Sequence, residues 1–388
     1  MSERISTGCT MIDLVVGGGE GLGFPTGKVV NIVGDKSSGK TFLGCEIVAK
    51  NSHKYGKRFK HNYDDGESGF TFNTKHLYGM DIITEDTLKS KQIEEMDVNV
   101  TRFLKSVKKD EVGIYVIDSL DGLSNDDIEE RAVKRYNAAE AGKEFKEGTY
   151  GMKTPKFLSQ EFFRTKTKEF EEKDTLFIII SQVRENIDPM SFKKWTRSGG
   201  KALDFYAHTC LWLANVKTIY KKDKAVGVVV KAKAEKSKTA RPYRDCMFTL
   251  YFDYGIDNIG TNLDYLFSLR TESGNLETRA SQEIRWTGNE ITLATVKAFL
   301  EEIKMLEKVK EEKKNGNLSL DFCLEWIDDH EDIKKIFKSK FGETLTREEL
   351  IAKIEQDPKM EKELEQRVIE KWETEEKEAL TARKRKYS

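Results

Sequence analysis

The chain has 388 residues, of which 38% are hydrophobic and 34% charged, and its formal net charge is −1. This length fits two or three ordinary domains, or one large α/β domain with an appended region. No apolar run approaches the roughly 18 residues of a membrane span, and the start lacks a signal-peptide pattern. Five cysteines without CxxC spacing, with five histidines, indicate reduced thiols rather than disulfides or a zinc site. We therefore expect a soluble, cytoplasmic protein.

Short apolar runs separated by helix-length segments extend from Lys28 to about Asp253. Runs rich in Val and Ile in this arrangement predict a largely parallel sheet with helices on both faces. The last two runs lie close together in the chain and predict an antiparallel pair at one edge. The predicted strands are Val29–Val33, Ile114–Ile117, Leu176–Ile180, Thr209–Leu213, Val226–Val230 and Met247–Phe252, with a more polar strand inferred at residues 58–63.

A second region begins near Asn262. Its first element is a predicted hairpin over Ile284–Ile291, turning at Gly288-Asn289, because Gly-Asn between two apolar runs favours a tight turn. Long Glu/Lys-rich stretches, which are typical of exposed helices, follow to the end of the chain.

The clearest functional motif is GDKSSGKT, which matches GxxxxGK[ST] without a mismatch. It follows the apolar run VVNIV and precedes an amphipathic segment, so a strand, a loop and a helix are expected in that order. Glycines at both ends let backbone N–H groups face a phosphate at the helix N-terminus. Lys40 is expected to reach the β- and γ-phosphates, and Thr41 to bind Mg²⁺ through its hydroxyl. The predicted nucleotide-binding residues are Gly34, Asp35, Lys36, Ser37, Ser38, Gly39, Lys40 and Thr41, joined by Asp118.

Three polar residues at the ends of predicted strands are candidates for the chemistry. Asp118 ends the apolar run EVGIYVID and is predicted to bind Mg²⁺ together with Thr41. Glu67, in YDDGES, is a candidate for orienting or deprotonating the attacking water. Gln182 directly follows a buried strand, where it could sense the γ-phosphate. From the residues alone, Glu67 and Gln182 could equally be surface turn residues.

Together these motifs resemble the RecA family of recombinases, including the UvsX-like recombinases of phages. ISTGCTMID and a Gly-rich turn are similar to the start of that ATPase core, DDGES to its catalytic motif, VIDSLDGL to its magnesium strand, and IIISQV to its phosphate-sensing strand. The resemblance covers residues 5 to about 300 and partly returns in DPKMEKELEQRVIEKW. It implies ATP and Mg²⁺ as cofactors and catalytic roles for Glu67 and Gln182.

The fold implied by the resemblance is α/β. It is a RecA-like P-loop NTPase core with a mostly parallel central sheet flanked by helices, followed by a C-terminal α-rich α+β region. The implied domains are an ATPase core over residues 1–260 and a C-terminal region over 261–388, with an insertion at 305–350.

The resemblance also implies a site shared between subunits. EKSKTARPYR is similar to the segment that presents two lysines to a neighbour's ATP, here Lys236 and Lys238. The chain departs from the family in three places. Only four residues precede Ile5, where the family carries a docking helix and strand, and the acidic tail is replaced by RKRK. The tyrosine that usually stacks on adenine is replaced at Thr74.

Two basic loops are candidates for contact with DNA. RENIDPMSFKKWTR, residues 184–197, mixes cations with Phe and Trp, and the SGGKALDFYA that follows resembles the end of the family's second DNA-binding loop. Binding single-stranded DNA requires positive charge and side chains that stack on bases. The alternatives are a structural lid for this loop and a solvated loop for residues 147–157. The predicted DNA contacts are Met152, Lys153, Lys156, Arg184, Met190, Phe192, Lys193, Lys194, Trp195, Arg197, Gly199 and Gly200.

We therefore predict an ATP-dependent DNA recombinase that binds single- and double-stranded DNA and self-associates into a filament or ring. Loading or single-strand-binding proteins are further expected partners, and no membrane is involved. One alternative is a helicase-type motor with the same fold, which is expected to lack the EKSK segment and the loop length between Gln182 and Gly199-Gly200. The other is a recombination mediator that uses ATP as a switch, which the short N-terminus favours.

Overall fold

The structure is a computed structural model, and it describes residues 3–18, 21–141, 153–185, 195–197, 200–277, 284–286, 293–313, 318–341 and 344–385. The strands, in chain order, are β1 (Arg4–Ile5), β2 (Phe24–Pro25), β3 (Val29–Gly34), β4 (Phe59–Asp64), β5 (Val112–Ile117), β6 (Thr175–Glu185), β7 (Trp195–Arg197), β8 (Thr209–Lys221), β9 (Lys224–Ser237), β10 (Arg244–Tyr251), β11 (Gly255–Asp257), β12 (Ile284–Arg285) and β13 (Thr344–Leu345). The helices are α1 (Thr10–Gly17), α2 (Lys40–Tyr55), α3 (Thr74–Tyr78), α4 (Ile93–Ser106), α5 (Asp126–Glu140), α6 (Lys153–Phe157), α7 (Phe163–Glu172), α8 (Gly200–Tyr206), α9 (Asn258–Leu266), α10 (Leu293–Glu302), α11 (Leu306–Glu312), α12 (Leu320–Asp328), α13 (Glu331–Phe341), α14 (Arg347–Glu355) and α15 (Pro358–Arg385).

One large sheet organises the first part of the chain. Its strand order is β11-β10-β9-β8-β3-β6-β5-β4, and β7 pairs with β6 outside this path. Strands β4, β5, β6, β3 and β8 are parallel, whereas β9, β10 and β11 continue the sheet in antiparallel fashion. The predicted fold class and the predicted antiparallel edge are confirmed.

The two faces of the parallel strands pack against different helices. On one face, Phe103 of α4 meets Tyr115 of β5 with ring centroids 5.5 Å apart. Helix α4 presents this face because Ile93, Met96, Val100 and Phe103 recur at helical spacing and are all buried. On the other face, α2 approaches closely at Gly44, where a Cβ would lie 3.3 Å from the side chain of Ile180. The central strands are buried along their length because helices cover both sides.

The register of the sheet brings the ends of β3, β4 and β5 to one edge, beside Gln182, which lies within β6 rather than after it as predicted. Gly34 at the end of β3 lies opposite Gln182 of β6, and Asp64 at the end of β4 lies opposite Ile117 of β5. Ile117 in turn lies opposite Ile179 of β6. In an open α/β sheet, ligands bind outside the carboxyl ends of the strands. The loop after β3 and the polar residues after β4 and β5 therefore face the same space as Gln182.

Strands β8 and β9 are longer than predicted. They have 13 and 14 residues and pair from Thr209–Ser237 to Lys221–Lys224, although only short apolar runs marked them in the sequence. Residues 217–244 carry ten basic and two acidic side chains. In β9, buried Ala232 and Ala234 alternate with less buried lysines, so the charged residues of one face hide the strand pattern.

The chain divides into two compact units. The first comprises residues 1–262, 272–274 and 365–388, and the second comprises 263–271 and 275–364. The prediction placed the last helix in the C-terminal region, whereas α15 from Glu365 onwards groups with the first unit. The reason is local: Glu376 pairs with Arg241 at 2.6 Å and with Arg244 at 2.8 Å.

The second unit has its own apolar core. Helices α10 to α13 contribute Val296, Phe299, Leu300, Val309, Cys323, Trp326, Ile327, Phe337 and Phe341. Strand β12, the start of the predicted hairpin, pairs with β13, and the predicted turn at Gly288-Asn289 lies outside the described residues. Within the residues that the structure describes, no helix has the length and apolar composition that a bilayer span requires.

Candidate functional site

The loop between β3 and α2 folds into a cradle at a helix N-terminus. A Cβ at Gly34 would lie 2.3 Å from Ser38 Oγ, so a side chain here would displace the Ser38 hydroxyl from its place in the loop. Gly39, at φ 83°, takes the left-handed conformation directly before α2. Ser38 Oγ and Lys40 Nζ each donate to the carbonyl of Asp35 at 2.8 Å. The backbone N–H groups of such a loop and helix start are suited to a phosphate group.

Lys40 lies among carboxylates at this cradle. Burial lowers the pKa of its amine, while Asp118, Glu67, Asp35 and Asp121 act in the opposite direction. A partly buried ammonium group is favoured by a bound anion, because the anion replaces lost hydration. The electrostatics therefore fit the predicted role of Lys40 on a nucleotide phosphate.

Asp118 and Thr41 form the predicted metal-binding pair. Asp118 follows β5, is buried, and accepts a hydrogen bond from the Tyr63 hydroxyl at 2.7 Å. Burial raises the pKa of its carboxyl group, and the hydrogen bonds from the Tyr63 and Thr41 hydroxyls lower it. A hydroxyl and a carboxylate oxygen thus face each other where α2 begins. Mg²⁺ prefers oxygen ligands of this kind, so the pair fits the ion.

Glu67 and Gln182 are in direct contact. Gln182 Nε2 donates to Glu67 Oε1 at 2.9 Å, and the Ser119 hydroxyl donates to the same oxygen. Both side chains are exposed at the sheet edge beside Gly34. The carboxylate predicted to act on water and the amide predicted to sense the γ-phosphate therefore touch. We call this group the catalytic edge; it consists of Lys40, Thr41, Glu67, Asp118 and Gln182.

Sequence reasoning missed three supports of the catalytic edge: Ser119, Asp121 and Tyr63. Asp121 accepts hydrogen bonds from the backbone N–H of Gln182 at 2.9 Å and from Arg184 Nη2 at 2.6 Å. Ser119 and Asp121 stand one and three residues after Asp118, so a closer reading of VIDSLDGL could have found them. Tyr63 gave no signal, because an aromatic residue in a strand is usually part of the core.

An apolar cavity of about 290 Å³ adjoins the cradle, lined by its residues and by Phe42, Phe72 and Phe252. The rings of Phe42 and Phe72 meet edge to face with centroids 4.6 Å apart. Thr74, where the family's adenine-stacking tyrosine was expected, is buried, and its hydroxyl accepts from the backbone N–H of Ile82 at 3.1 Å. The aromatic walls beside the cradle therefore come from other positions.

Lys236 and Lys238 bind the C-terminal end of α8. Lys236 Nζ donates to the carbonyls of Asp204 and of Phe205, the latter at 3.1 Å, and Lys238 Nζ donates to Phe205 at 3.4 Å. Burial lowers the pKa of Lys236, and Lys238 lowers it further. The pKa of His208 falls to about 4 through burial and through nearby cations that include both lysines. Lys236 and Lys238 form a cationic pair apart from the cradle.

The loop predicted over residues 184–197 is in part a hairpin. β6 runs on to Glu185, and Trp195 lies opposite it in β7. The Trp195 side chain is 46% exposed. Arg197 is only 7% exposed and pairs with Asp204 at 2.5 Å, whereas Arg184 is 61% exposed and pairs with Asp121.

The other predicted DNA contacts divide into two sets. The loop expected over residues 147–157 ends in helix α6, which contains Lys153 and the exposed Lys156. Gly200, at φ 57°, begins α8. Six predicted contacts lie outside the described residues: Met152, Met190, Phe192, Lys193, Lys194 and Gly199.

The family model and the curated relatives agree on one family. The family model described as the RecA N-terminal domain matches residues 2–257. Protein RecA of a Nitratiruptor species is 30% identical over 264 residues, which cover 68% of this chain and 70% of the relative. Protein RecA of Streptomyces venezuelae is 31% identical over 262 residues, covering 68% and 63%. The crystal structure of the RadB recombinase matches at 18% identity and a TM-score of 0.42, covering 65% of this chain and 98% of that one.

Proposed function

Because the chain belongs to the RecA family, we propose that it is an ATP-dependent DNA recombinase. In this proposal it binds ATP with Mg²⁺, assembles on single-stranded DNA and promotes pairing and strand exchange with a homologous duplex. The observation that carries the proposal is the contact of Gln182 with Glu67 at 2.9 Å beside the cradle. Through this contact Glu67, which is suited to activating water, touches β6, and β6 continues into the predicted DNA-binding hairpin.

Five residues of the chain, those of the catalytic edge, fit the roles that ATP hydrolysis requires at the cradle. Lys40 offsets charge on the β- and γ-phosphates, and Thr41 and Asp118 hold the metal ion. Bound Mg²⁺ would neutralise charge that develops on the phosphate oxygens. Glu67 orients the attacking water and accepts its proton. Phe42, Phe72 and Phe252 offer apolar surface to the base.

Strand β6 offers a direct route from the nucleotide to DNA. Gln182 lies in the same strand as Arg184 and Glu185, and β7 pairs with the end of that strand, so Trp195 lies opposite Glu185. A γ-phosphate that draws the Gln182 amide away from Glu67 shifts the strand that supports Trp195. This arrangement supports an ATPase whose rate depends on DNA.

The position of the lysines in the sheet supports self-association. Lys236 lies opposite Cys210, which pairs with Asn31 near the start of β3, whereas the cradle follows the end of β3 at Gly34. Within one chain, the two lysines therefore lie nearer the start of β3, whereas the cradle follows the end of β3. A role for them on ATP requires the nucleotide of another copy of the chain, which supports assembly into a filament or ring.

The test combines biochemical assays of hydrolysis and strand exchange with electron microscopy of the assembled protein. ATP hydrolysis is measured with and without single-stranded DNA, strand exchange with a homologous duplex, and assembly by electron microscopy with a non-hydrolysable ATP analogue. We expect DNA to stimulate hydrolysis, exchange to require ATP, and a filament to form on DNA. Rings with translocation and no exchange would indicate a helicase-type motor. Nucleotide binding without assembly or stimulation would replace the proposal with a mediator.

A further inference from the structure

One network of contacts connects β7 with the two lysines. Arg197 Nη2 donates to Asp204 Oδ1 at 2.5 Å. The carbonyl of Asp204 accepts from Lys236, and the carbonyl of the next residue, Phe205, accepts from both Lys236 and Lys238. Strand β7, which shortly precedes α8 in the chain, and the end of β9, about 30 residues further on, thus share the end of α8. We call this network the lysine corner; it consists of Arg197, Asp204, Phe205, Lys236 and Lys238.

Arg197 is enclosed in this network. Its side chain is 7% exposed, whereas that of Asp204 is 69% exposed. Arg197 Nη2 also reaches Cys210 Sγ at 3.4 Å, and its buried Nη1 has no hydrogen-bond partner within the described part of the chain. A cation at this depth depends on its carboxylate, because an unpaired buried charge is costly. Asp204 therefore fixes the end of β7 to α8.

The hydrogen bonds of the two lysines to the end of α8 can be replaced by hydrogen bonds to another acceptor. The last carbonyls of a helix lack intrahelical partners and carry partial negative charge, which attracts ammonium groups. In the structure the lysines bind these neutral carbonyl oxygens. A phosphate oxygen is a charged acceptor and forms the stronger hydrogen bond. Burial and then the charge of Lys238 lower the pKa of Lys236, so a bound anion favours the charged form of this amine.

We propose that Arg197 and Asp204 are positioning residues that couple DNA binding at β7 to the binding of a neighbouring chain's ATP by Lys236 and Lys238. This inference rests on the proposed function. When the lysines bind the phosphate they leave the end of α8, and the freed helix end shifts together with Asp204, Arg197 and β7. A cavity of about 360 Å³ beside Arg197, Asp204 and Lys236 gives room for the movement. Coupling is reciprocal, so DNA at β7 strengthens phosphate binding by the same factor.

The test measures the affinity for a labelled oligo(dT) with and without a non-hydrolysable ATP analogue. In the wild type we expect the analogue to tighten DNA binding. Asp204→Asn keeps the shape of the side chain and removes its charge. In this variant we expect the tightening to shrink about fivefold or more, at the lower end of typical coupling between sites. DNA affinity without nucleotide should fall less than DNA affinity with the analogue, and Asp204→Glu should restore much of the tightening.

Asp245→Asn is the matched control, because Asp245 pairs with Lys231 at 3.1 Å in the same sheet and lies outside the network. It should keep the full tightening. A double variant, Asp204→Asn with Lys236→Ala, should lose no more coupling than Lys236→Ala alone. Full tightening in Asp204→Asn, or an equal loss of DNA affinity with and without analogue, would overturn the inference while leaving the proposed function intact. Absence of DNA binding or of tightening in the wild type would overturn both.

Discussion

The catalytic edge and the lysine corner are built in different ways. At the catalytic edge, strand register alone places Gln182 beside Gly34, and the groups that follow β4 and β5 come to the same side of the sheet. At the lysine corner, Lys236 and Lys238 are placed by hydrogen bonds to a helix of only seven residues. The edge is thus fixed by topology, whereas the corner is held by contacts that another ligand can replace. We expect substitutions at the edge to stop the chemistry and substitutions at the corner to change its control.

The largest expected effect is at the catalytic edge. Glu67→Gln keeps the hydrogen bond to Gln182 sterically possible but removes the base, so ATP turnover should fall by about 10²- to 10⁴-fold. Affinity for ATP should stay close to that of the wild type, because the cradle is intact. Single-turnover hydrolysis and equilibrium nucleotide binding measure the two quantities separately. Wild-type turnover in Glu67→Gln would remove Glu67 from the chemistry.

The second prediction concerns the corner. In Lys236→Ala/Lys238→Ala, DNA-stimulated turnover should fall by about a hundredfold, as when one charge-stabilising donor is lost. Nucleotide binding by the separate chain should be unchanged, since the cradle lies toward the other end of β3. Mixing this variant with Lys40→Ala protein tests whether the site is shared. In a mixed assembly, the intact cradle of one chain can lie beside the intact lysines of the other, so we expect partial recovery of ATP hydrolysis. Co-assembly without recovery would show that the lysines act within one chain or not at all.

The third prediction concerns the pH dependence of stability, which we attribute in part to Glu46 of helix α2. Glu46 of α2 is mostly buried, and burial raises the pKa of its carboxyl from 4.5 to about 7. A carboxyl whose pKa is higher in the folded state contributes stability below the unfolded value, and that stability is lost as pH rises through the folded value. The free energy of unfolding should therefore decline between pH 4.5 and about 7.

Glu46→Gln should flatten this decline and leave the protein more stable above pH 7, by at most about 3 kcal/mol at roughly 1.4 kcal/mol per pKa unit. Denaturant unfolding at several pH values measures the effect. Glu85→Gln, at an exposed position, is the control and should follow the wild type. An unchanged slope in Glu46→Gln would mean that another group carries the pH dependence.

The same contrast explains what could be predicted from the sequence. The catalytic edge is marked by short motifs at strand ends, and parallel strands bring such ends together without further information. The corner depends on Asp204, which lies in SGGKALDFYA without any sign there of its pairing with Arg197, and on contacts with Lys236, 32 residues further along the chain. Arg197 looked like a free cation in a basic loop, because its burial depends on α8. Charged residues likewise hid the full length of β9, whereas the apolar runs of the central strands sufficed for the fold class.

The smallest expected effect concerns the apolar cavity beside the cradle. If Phe72 offers its ring to the base, Phe72→Leu should weaken ATP binding by about two- to tenfold, the range of one aromatic contact. Binding of inorganic tripolyphosphate with Mg²⁺ should be unchanged, because that ligand has phosphates and no base. Titration with both ligands separates the two parts of the site.

Phe70→Leu provides the matched control for this cavity. Phe70 packs against Phe72 with ring centroids 5.6 Å apart and against Tyr63 at 5.2 Å, but it does not line the cavity. It should therefore leave the affinity for ATP unchanged. Equal weakening in both variants would point to a general loosening of this aromatic cluster, and weaker tripolyphosphate binding in Phe72→Leu would show that the ring supports the cradle rather than the base. Only a loss confined to ATP and to Phe72→Leu assigns the base to this cavity.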